Sequence, residues 1–389
     1  MKEFCQKLSS HILYALYNHQ NKKSTLPWRY KLILIFIYFC IIESDIYCQN
    51  NLNFGKHGTA KLKLLKEVQI PVDIIFGSEY GLIENKNTLL ILTMEGIKFY
   101  DIDKEIFYRD IKYPETNIRF NSIRVINSKN ILLGSQMPYL FYIIDIQGNV
   151  IKKHGFSADN EGRYSNSVPY LDFSVVREIN GYIYLAGSII TTMPVEDRIS
   201  PLIRLNINSG KAEYLLSYPN EYKNNRGGMQ NNYNYVCTNN KSQVIISFSA
   251  SNDLFVYDVA SKRLMRKNAG SSKIRALVSS NISETDVVKV KEQYNKYFFT
   301  TPSYEQVVFD NYRELYLRVA MHPNMDYGRS NSFSKPKTLI FLDKNFNFIG
   351  EDELENDVVN IFAYSKGIVT IGMDTGQKRK ILRKYEIDL

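Results

Sequence analysis

Cysteine is scarce in this chain of 389 residues, and three of the four, Cys5, Cys40 and Cys48, fall within the first 48 positions. Beyond them only Cys237 remains, so the main body of the chain cannot form an internal disulfide and must be held by packing. Cys237, within Tyr235-Val236-Cys237-Thr238, reads as a small buried hydrophobe. Histidine is also sparse, with only His57, His154 and His322 after the first 48 residues. No H-E-x-x-H or Cys-x-x-Cys spacing occurs, so no protein-ligated metal is expected. There is no G-x-S-x-G elbow and no Walker loop, which leaves no recognisable nucleophile or phosphate cradle, and no cofactor is expected. Asp159-Asn160-Glu161-Gly162 has the oxygens of a calcium loop but Val168 where the closing acid should stand, and reads as a polar surface loop. The 11 Pro and 20 Gly are too few for collagen-like or low-complexity sequence. No apolar run reaches the roughly 20 residues of a membrane-spanning helix.

Charge is not lacking, but it is dispersed. The formal charge is +9, yet the basic residues form only short runs, Lys378-Arg379-Lys380 and Arg383-Lys384, and no basic block of nucleic-acid type appears. No nucleic-acid partner is expected. The 29 Tyr and 21 Phe, with abundant Asn, Ile and Lys, fit the residue bias of an AT-rich coding sequence.

The first 48 residues form a leader. Lys22, Lys23, Arg29 and Lys31 precede an uninterrupted apolar run, Leu32 to Ile42, that Glu43 and Asp45 end. Eleven apolar residues after a basic flank match an export signal better than a permanent span. The basic region is unusually long, so either translation starts further downstream or the extra segment has its own role. Cleavage after Cys48, leaving Gln49, is preferred. A lipoprotein would use Cys40, but Ile37-Tyr38-Phe39 is bulky where processing needs small residues. Without cleavage, residues 32–42 would remain as a marginal anchor, the one segment through which membrane association is expected. Losing residues 1–48 removes six Lys/Arg and three Asp/Glu and lowers the charge to +6. Residues 49–57 read as a short linker and 58–389 as a single domain.

From residue 58 onward, short β-branched and aromatic runs alternate with Asn, Asp, Gly and Ser. Examples are Thr88 to Met94, Tyr139 to Ile146, Tyr182 to Ile190, Gln243 to Ala250, Glu314 to Met321 and Gly367 to Met373; these are predicted strands. Many are apolar on both faces, which requires sheets covered on both sides. A unit recurs in which such a run ends at an Asp or Asn able to bond its own turn backbone. The copies end at Asp101, Asp145, Asn206, Asp258 and Asp343, with a degenerate sixth at Ile381 to Glu386. Their spacings of 44, 61, 52, 85 and 43 residues suit four-stranded propeller blades. The 85-residue interval contains Ser283-Glu284-Thr285-Asp286, which resembles a helix start leading into Val287 to Phe298. A helical insertion near residues 283–298 therefore explains the excess, and the expected fold is an all-β, six-bladed β-propeller, with seven blades as the alternative. Lys61 to Val72 would pair near Ile381 to Asp388 and close the ring, burying Leu62, Leu64, Leu65, Val68 and Ile70.

The segments Tyr294-Asn295-Lys296-Tyr297, Pro302 through Val319 with its core Tyr304-Glu305-Gln306-Val307-Val308-Phe309-Asp310-Asn311-Tyr312, and His322-Pro323 resemble the exported Bacteroidota proteins known as domain of unknown function 4221. The resemblance covers residues 60–389. It implies a six-bladed propeller and an exported location, and it brings no reaction, ligand or catalytic residue.

Function is expected on connections too long for simple turns. Three qualify: Phe156 to Pro169 with Arg163 and Tyr164, Tyr218 to Tyr235 with Arg226, and His322 to Pro336 with His322, Asp326, Tyr327 and Arg329. Arg pairs with carboxylate or phosphate, Tyr stacks on sugar or peptide faces, and Asn bonds hydroxyls, so a glycan, peptide or protein partner is expected at the channel mouth. Arg318, inside an apolar strand, needs an acid; Asp310 in the preceding hairpin is the expected ion-pair partner, and a channel-lining ligand group is the alternative role. The sequence thus predicts a monomeric, non-enzymatic binding propeller exported to the periplasm or cell envelope. A carbohydrate-active enzyme, polysaccharide lyase or glycoside hydrolase, is the alternative.

Overall fold

The computed structural model describes residues 59–71, 77–136, 139–155, 167–170, 174–175, 178–189, 200–219, 222, 233–275, 277, 291–328, 334–374 and 379–389. The leader 1–48, the linker 49–57 and the acidic segment Asp159 to Gly162 lie outside them, as do Ser283 to Asp286.

The chain folds into six sheets. β1 (Lys61–Ile70) precedes the first blade, which is β2 (Gly77–Ile83), β3 (Lys86–Leu92), β4 (Gly96–Asp101) and β5 (Ile106–Lys112). The second blade is β6 (Ser122–Val125), β7 (Asn130–Gln136), β8 (Tyr139–Asp145) and β9 (Val150–Gly155). The third is β10 (Ser167–Tyr170), β12 (Tyr182–Ile189), β13 (Leu202–Asn206) and β14 (Ala212–Tyr214), while β11 (Ser174–Val175) pairs in parallel with the next blade. The fourth is β15 (Asn234–Thr238), β16 (Gln243–Phe248), β17 (Asp253–Asp258) and β18 (Arg263–Asn268). A helix, α1 (Lys291–Thr300), leads into the fifth, β19 (Ser303–Asp310), β20 (Leu315–Met321), β21 (Lys337–Leu342) and β22 (Phe348–Leu354). The sixth is β23 (Val358–Tyr364), β24 (Gly367–Asp374) and β25 (Arg379–Asp388), completed by β1.

The recurrent Asp/Asn unit is therefore the third strand of each blade, and its degenerate sixth copy is β25. Six blades are present. The long interval between Asp258 and Asp343 holds α1 together with β18 and the first three strands of the fifth blade. The described helix runs Lys291–Thr300 and so ends two residues beyond the predicted end, while the predicted start lies outside the described residues.

Strands apolar on both faces have a direct cause. Six core clusters fill the six interfaces between adjacent blades. On β3, Leu90 and Leu92 face the second blade while Leu89 and Ile91 face the sixth. The period-two alternation of a strand thus feeds two cores at once.

Ring closure is antiparallel, with β1 registered on β25 from Lys61 opposite Asp388 to Ile70 opposite Lys380. Arg383 of β25 ties it further, donating to Glu67 Oε2 at 2.7 Å and bidentately to Asp357 at 2.9 and 3.1 Å. Where β1 begins, a Cβ on Gly350 would lie 2.8 Å from the Ala60 backbone nitrogen, so the neighbouring blade's outer strand needs glycine to admit the incoming chain. The predicted burial of β1 is corrected in part: Ile70 is buried, but Leu64 and Leu65 are 49% and 50% exposed. As the outermost strand of its blade, β1 has a sheet neighbour on one side only.

Arg318 departs from expectation more sharply. Leu317 and Val319 face the sixth blade, which turns Arg318 toward the fourth. Its guanidinium, fully buried, donates to Ser247 Oγ (3.0 Å) and to the carbonyls of Asn252 (2.8 Å), Ala269 (3.0 Å), Phe248 (3.2 Å) and Ser251 (2.7 Å). It also lies 3.8 Å from the centroid of the Tyr304 ring. Burial lowers its pKa only to about 10, so it stays charged at neutral pH. Asp310 is not its partner, being bonded instead to the Tyr312 and Arg313 backbone amides and the Arg313 side chain.

Candidate functional site at the loop-bearing end

Antiparallel order within each blade sorts the connections to two ends. Turns between first and second strands, and between third and fourth, share one end, and most are short: 84–85, 126–129, 239–242, 311–314 and 365–366, and 102–105, 146–149, 207–211, 259–262 and 343–347. Here the predicted side-chain caps form. Oδ1 of Asp101, Asp145, Asn206, Asp258 and Asp343 each accepts from backbone amides of its own turn at 2.7 to 3.0 Å. The other end carries the long connections: 156–166, 190–201, 215–233, 269–302 and 322–336. All three segments singled out from the sequence start there.

The structure redraws those segments. Ser167–Tyr170 is a strand, not loop, and Asn234 and Tyr235 already belong to β15. Tyr218 and Tyr222 are buried, in contact with Phe248. Arg163, Tyr164, Arg226 and Arg329 lie outside the described residues. His322, Asp326 and Tyr327 are described and belong to one connection, between β20 and β21 of the fifth blade. His322 N donates to Pro336 O at 2.7 Å and so closes the neck of its loop. Asn324 fastens the loop, its amide to Phe299 O of α1 (2.7 Å) and its side chain to Ser334 O (2.8 Å). Asn324 Oδ1 accepts from the exposed Asp326 amide (3.0 Å), and Tyr327 stacks on Phe299 with centroids 4.9 Å apart and planes 15° apart.

Beneath the loop is a buried lysine that sequence reasoning missed. Lys335 Nζ donates to Thr301 O (2.6 Å) and Ser303 Oγ (2.9 Å) and lies 4.7 Å from the Phe298 ring centroid. Burial lowers its pKa to about 7, with Lys337 acting in the same direction and Glu305 opposing. Beside it, His322 Nε2 is 2.8 Å from Thr338 Oγ1, whose hydroxyl donates to Glu351 Oε1 at 2.5 Å. The Glu351 carboxylate, 2% exposed, also accepts from Ser271 Oγ (2.6 Å) and from the amide and hydroxyl of Ser272 (both 2.8 Å). It thereby binds the segment after the fourth blade to the fifth.

The inner strands begin at this same end and are linked from blade to blade by polar side chains. Glu79 of β2 pairs with Arg124 of β6 at 3.3 Å, both buried. Desolvation pushes the Glu79 carboxyl up to about 7, against the pull of Arg124. Gln306 of β19 exchanges two bonds with the Ile361 backbone of β23, and Asn360 reaches Ser78 Oγ at 3.2 Å. Lys337 bonds Glu305 and Val358 O, each at 2.7 Å. Burial drives the Tyr235 hydroxyl well above its ordinary range, and the Glu305 charge adds to this. A charge flanked by apolar residues, Arg124 between Ile123 and Val125, is the signal that singled out Arg318, and it would have found this pair as well.

Among the described residues no group of three or more acidic, His or Cys side chains is placed to hold a metal, and no helix is long and apolar enough to cross a membrane.

No curated protein matches the chain. Among solved structures, the fold is similar to that of a DUF4221 protein from Bacteroides vulgatus ATCC 8482, with a TM-score of 0.66 at 16% identity, covering 86% of this chain and 99% of that one. A protein of unknown function from Bacteroides caccae gives a TM-score of 0.42 at 11% identity, covering 72% and 81%. The model of the family described as "Domain of unknown function (DUF4221)" matches residues 72–353, which run from just before the first blade to the outer strand of the fifth. With that match spanning most of its length, the chain belongs to the DUF4221 family.

Proposed function

We propose that this protein is an exported binding propeller that holds a glycan or peptide at its loop-bearing mouth without transforming it. The observation that supports the reading is the division of connections: the long, chemically varied segments open at one end, while capped turns close the other. Loops on a rigid ring can vary without cost to the sheets, and Arg163, Tyr164, Arg226, His322, Asp326, Tyr327 and Arg329 all belong to segments that start at that end. Export rests on the basic flank and short apolar run before residue 48, with the periplasm or cell envelope as destination. Retention at a membrane would use residues 32–42 or a lipid on Cys40.

Binding is tested by applying the full chain to immobilised oligosaccharides and peptides. Saturable capture that is weakened by changes at Tyr327 or Asp326 and unaffected by changes at Asp145 supports the reading. Release of unsaturated or reducing sugar ends from a polysaccharide would overturn the non-enzymatic part of it. Cell fractionation with mass spectrometry of the N-terminus tests location, and a cytosolic product beginning at Met1 refutes export.

A further inference from the structure

Thr338 has one hydroxyl proton, and Glu351 Oε1 takes it at 2.5 Å. The threonine oxygen can then only accept from His322 Nε2, 2.8 Å away, so that ring nitrogen must carry the proton. A neutral imidazole protonated at Nε2 has its lone pair on Nδ1, and Nδ1 has no hydrogen-bond partner among the described residues. The other three donors to Glu351, from Ser271 and Ser272, hold the carboxylate in place, so the chain Glu351, Thr338, His322 is oriented from its buried end. The His322 side chain is 14% exposed at the neck of the longest loop of the fifth blade, with Tyr327 five residues further on.

We propose that His322 Nδ1 is a tautomer-fixed acceptor for a ligand hydroxyl, and that the ligand at this mouth is a neutral saccharide. This deepens the binding reading and rests on it. A sugar supplies both complements at once, an O–H for a directional acceptor and a C–H face for an aromatic ring such as that of Tyr327. Thr338 and Glu351 act as positioning residues.

The groups facing the imidazole are Glu351 and Glu353 of β22, which favour its protonation, and Lys273 and Lys335, which oppose it; burial is the largest influence, and the net shift is downward. His322 is therefore neutral at pH 7 and loses its acceptor only in acid, so affinity should hold from pH 8 to 7 and fall below the ordinary histidine range.

The experiment applies the full chain to an array of neutral oligosaccharides and peptides, with wild type, His322→Gln and Thr338→Val compared. Gln keeps a donor for Thr338 but places no acceptor at Nδ1. Saccharide binding should drop about tenfold or more in H322Q, as for one lost hydrogen bond in a desolvated site, and severalfold in T338V. Nitrogen-15 spectra of labelled histidine should show His322 protonated at Nε2, and this reads out on the free protein. Equal saccharide affinity in wild type and H322Q, or an Nδ1-protonated ring, overturns the inference while leaving the binding reading intact. Capture of peptides but no saccharide overturns the ligand class alone, and capture of neither overturns both.

Discussion

At one end of the propeller the third-to-fourth strand turns are 4 or 5 residues long and repeat a single device, a side-chain oxygen accepting the amides of its own turn. At the other, the connection between β18 and β19 spans 34 residues. The strands between the two ends are the same strands. A blade needs reliable hairpins to set its register, and one end supplies most of them, which leaves the opposite end freer to carry long connections. Among the described residues it is held by local anchors such as Arg318 on the 248–252 turn, Glu351 on 271–272, and Asn324 and Lys335 at the 322–336 loop.

Experiments can break this contrast. The largest effect is expected from the ring on which both ends depend. Deleting residues 49–75 removes the ladder to β25 and the buried Ile70, and should cost about 3–5 kcal/mol; deleting 49–57 alone should leave the melting temperature unchanged. If the two truncations melt alike, closure by β1 is not what holds the ring. Next comes Arg318→Met, which removes five hydrogen bonds at the loop-bearing end, to four carbonyls and the Ser247 hydroxyl, and should destabilise by at least about 3 kcal/mol. A loss under about 1 kcal/mol in chemical denaturation would show that the 248–252 turn holds itself.

Glu79 gives a pH signature. Its carboxyl binds a proton more tightly folded, near pH 7, than unfolded, near 4.5, so the folded state holds more protons in that window. Stability contributed by this group is present at low pH and lost as pH rises from about 4.5 to 7. Glu79→Gln, whatever its constant cost from leaving Arg124 unmatched, should remove roughly 1–3 kcal/mol of that downward slope. Parallel slopes in the two proteins would place the titration elsewhere. The smallest effects belong to the capped turns: Asp145→Ala and Asp343→Ala should each cost about 1 kcal/mol in thermal melts and change ligand capture not at all.

Much of the ring was legible before any coordinates. Asp101, Asp145, Asn206, Asp258 and Asp343 marked the third strands because a strand that must turn within a few residues selects an Asx side chain, and that selection is local. The closing strand was legible because Lys61 to Val72 is the first strand-like segment after the leader and the sixth blade needs a strand to complete it. What escaped was set by neighbours distant in the chain. Nothing adjacent to Arg318 reveals that Ser247 and Ala269 will face it, or that carbonyls can replace an acid. Lys335, between Ser334 and Pro336, reads as a solvated loop cation until Thr301 and Ser303 are brought beside it. Tyr218 and Tyr222 looked like contact residues because aromatic side chains serve cores and surfaces alike.

Because every apolar cluster lies between two blades, no blade has a core of its own, and the first pays a waiting time during synthesis. Leu89, Ile91 and Tyr100 must stay uncovered on one face until Phe362, Val369 and Leu382 have emerged, roughly 260 to 290 residues later. The chain therefore holds a sticky, half-finished surface for most of its translation, and the last ten residues of β25 decide when it disappears. A cell making this protein would gain from keeping it bound to a holdase until its C-terminus is free, since a polypeptide halted before residue 379 would carry two open sheet edges where the complete one has a seam.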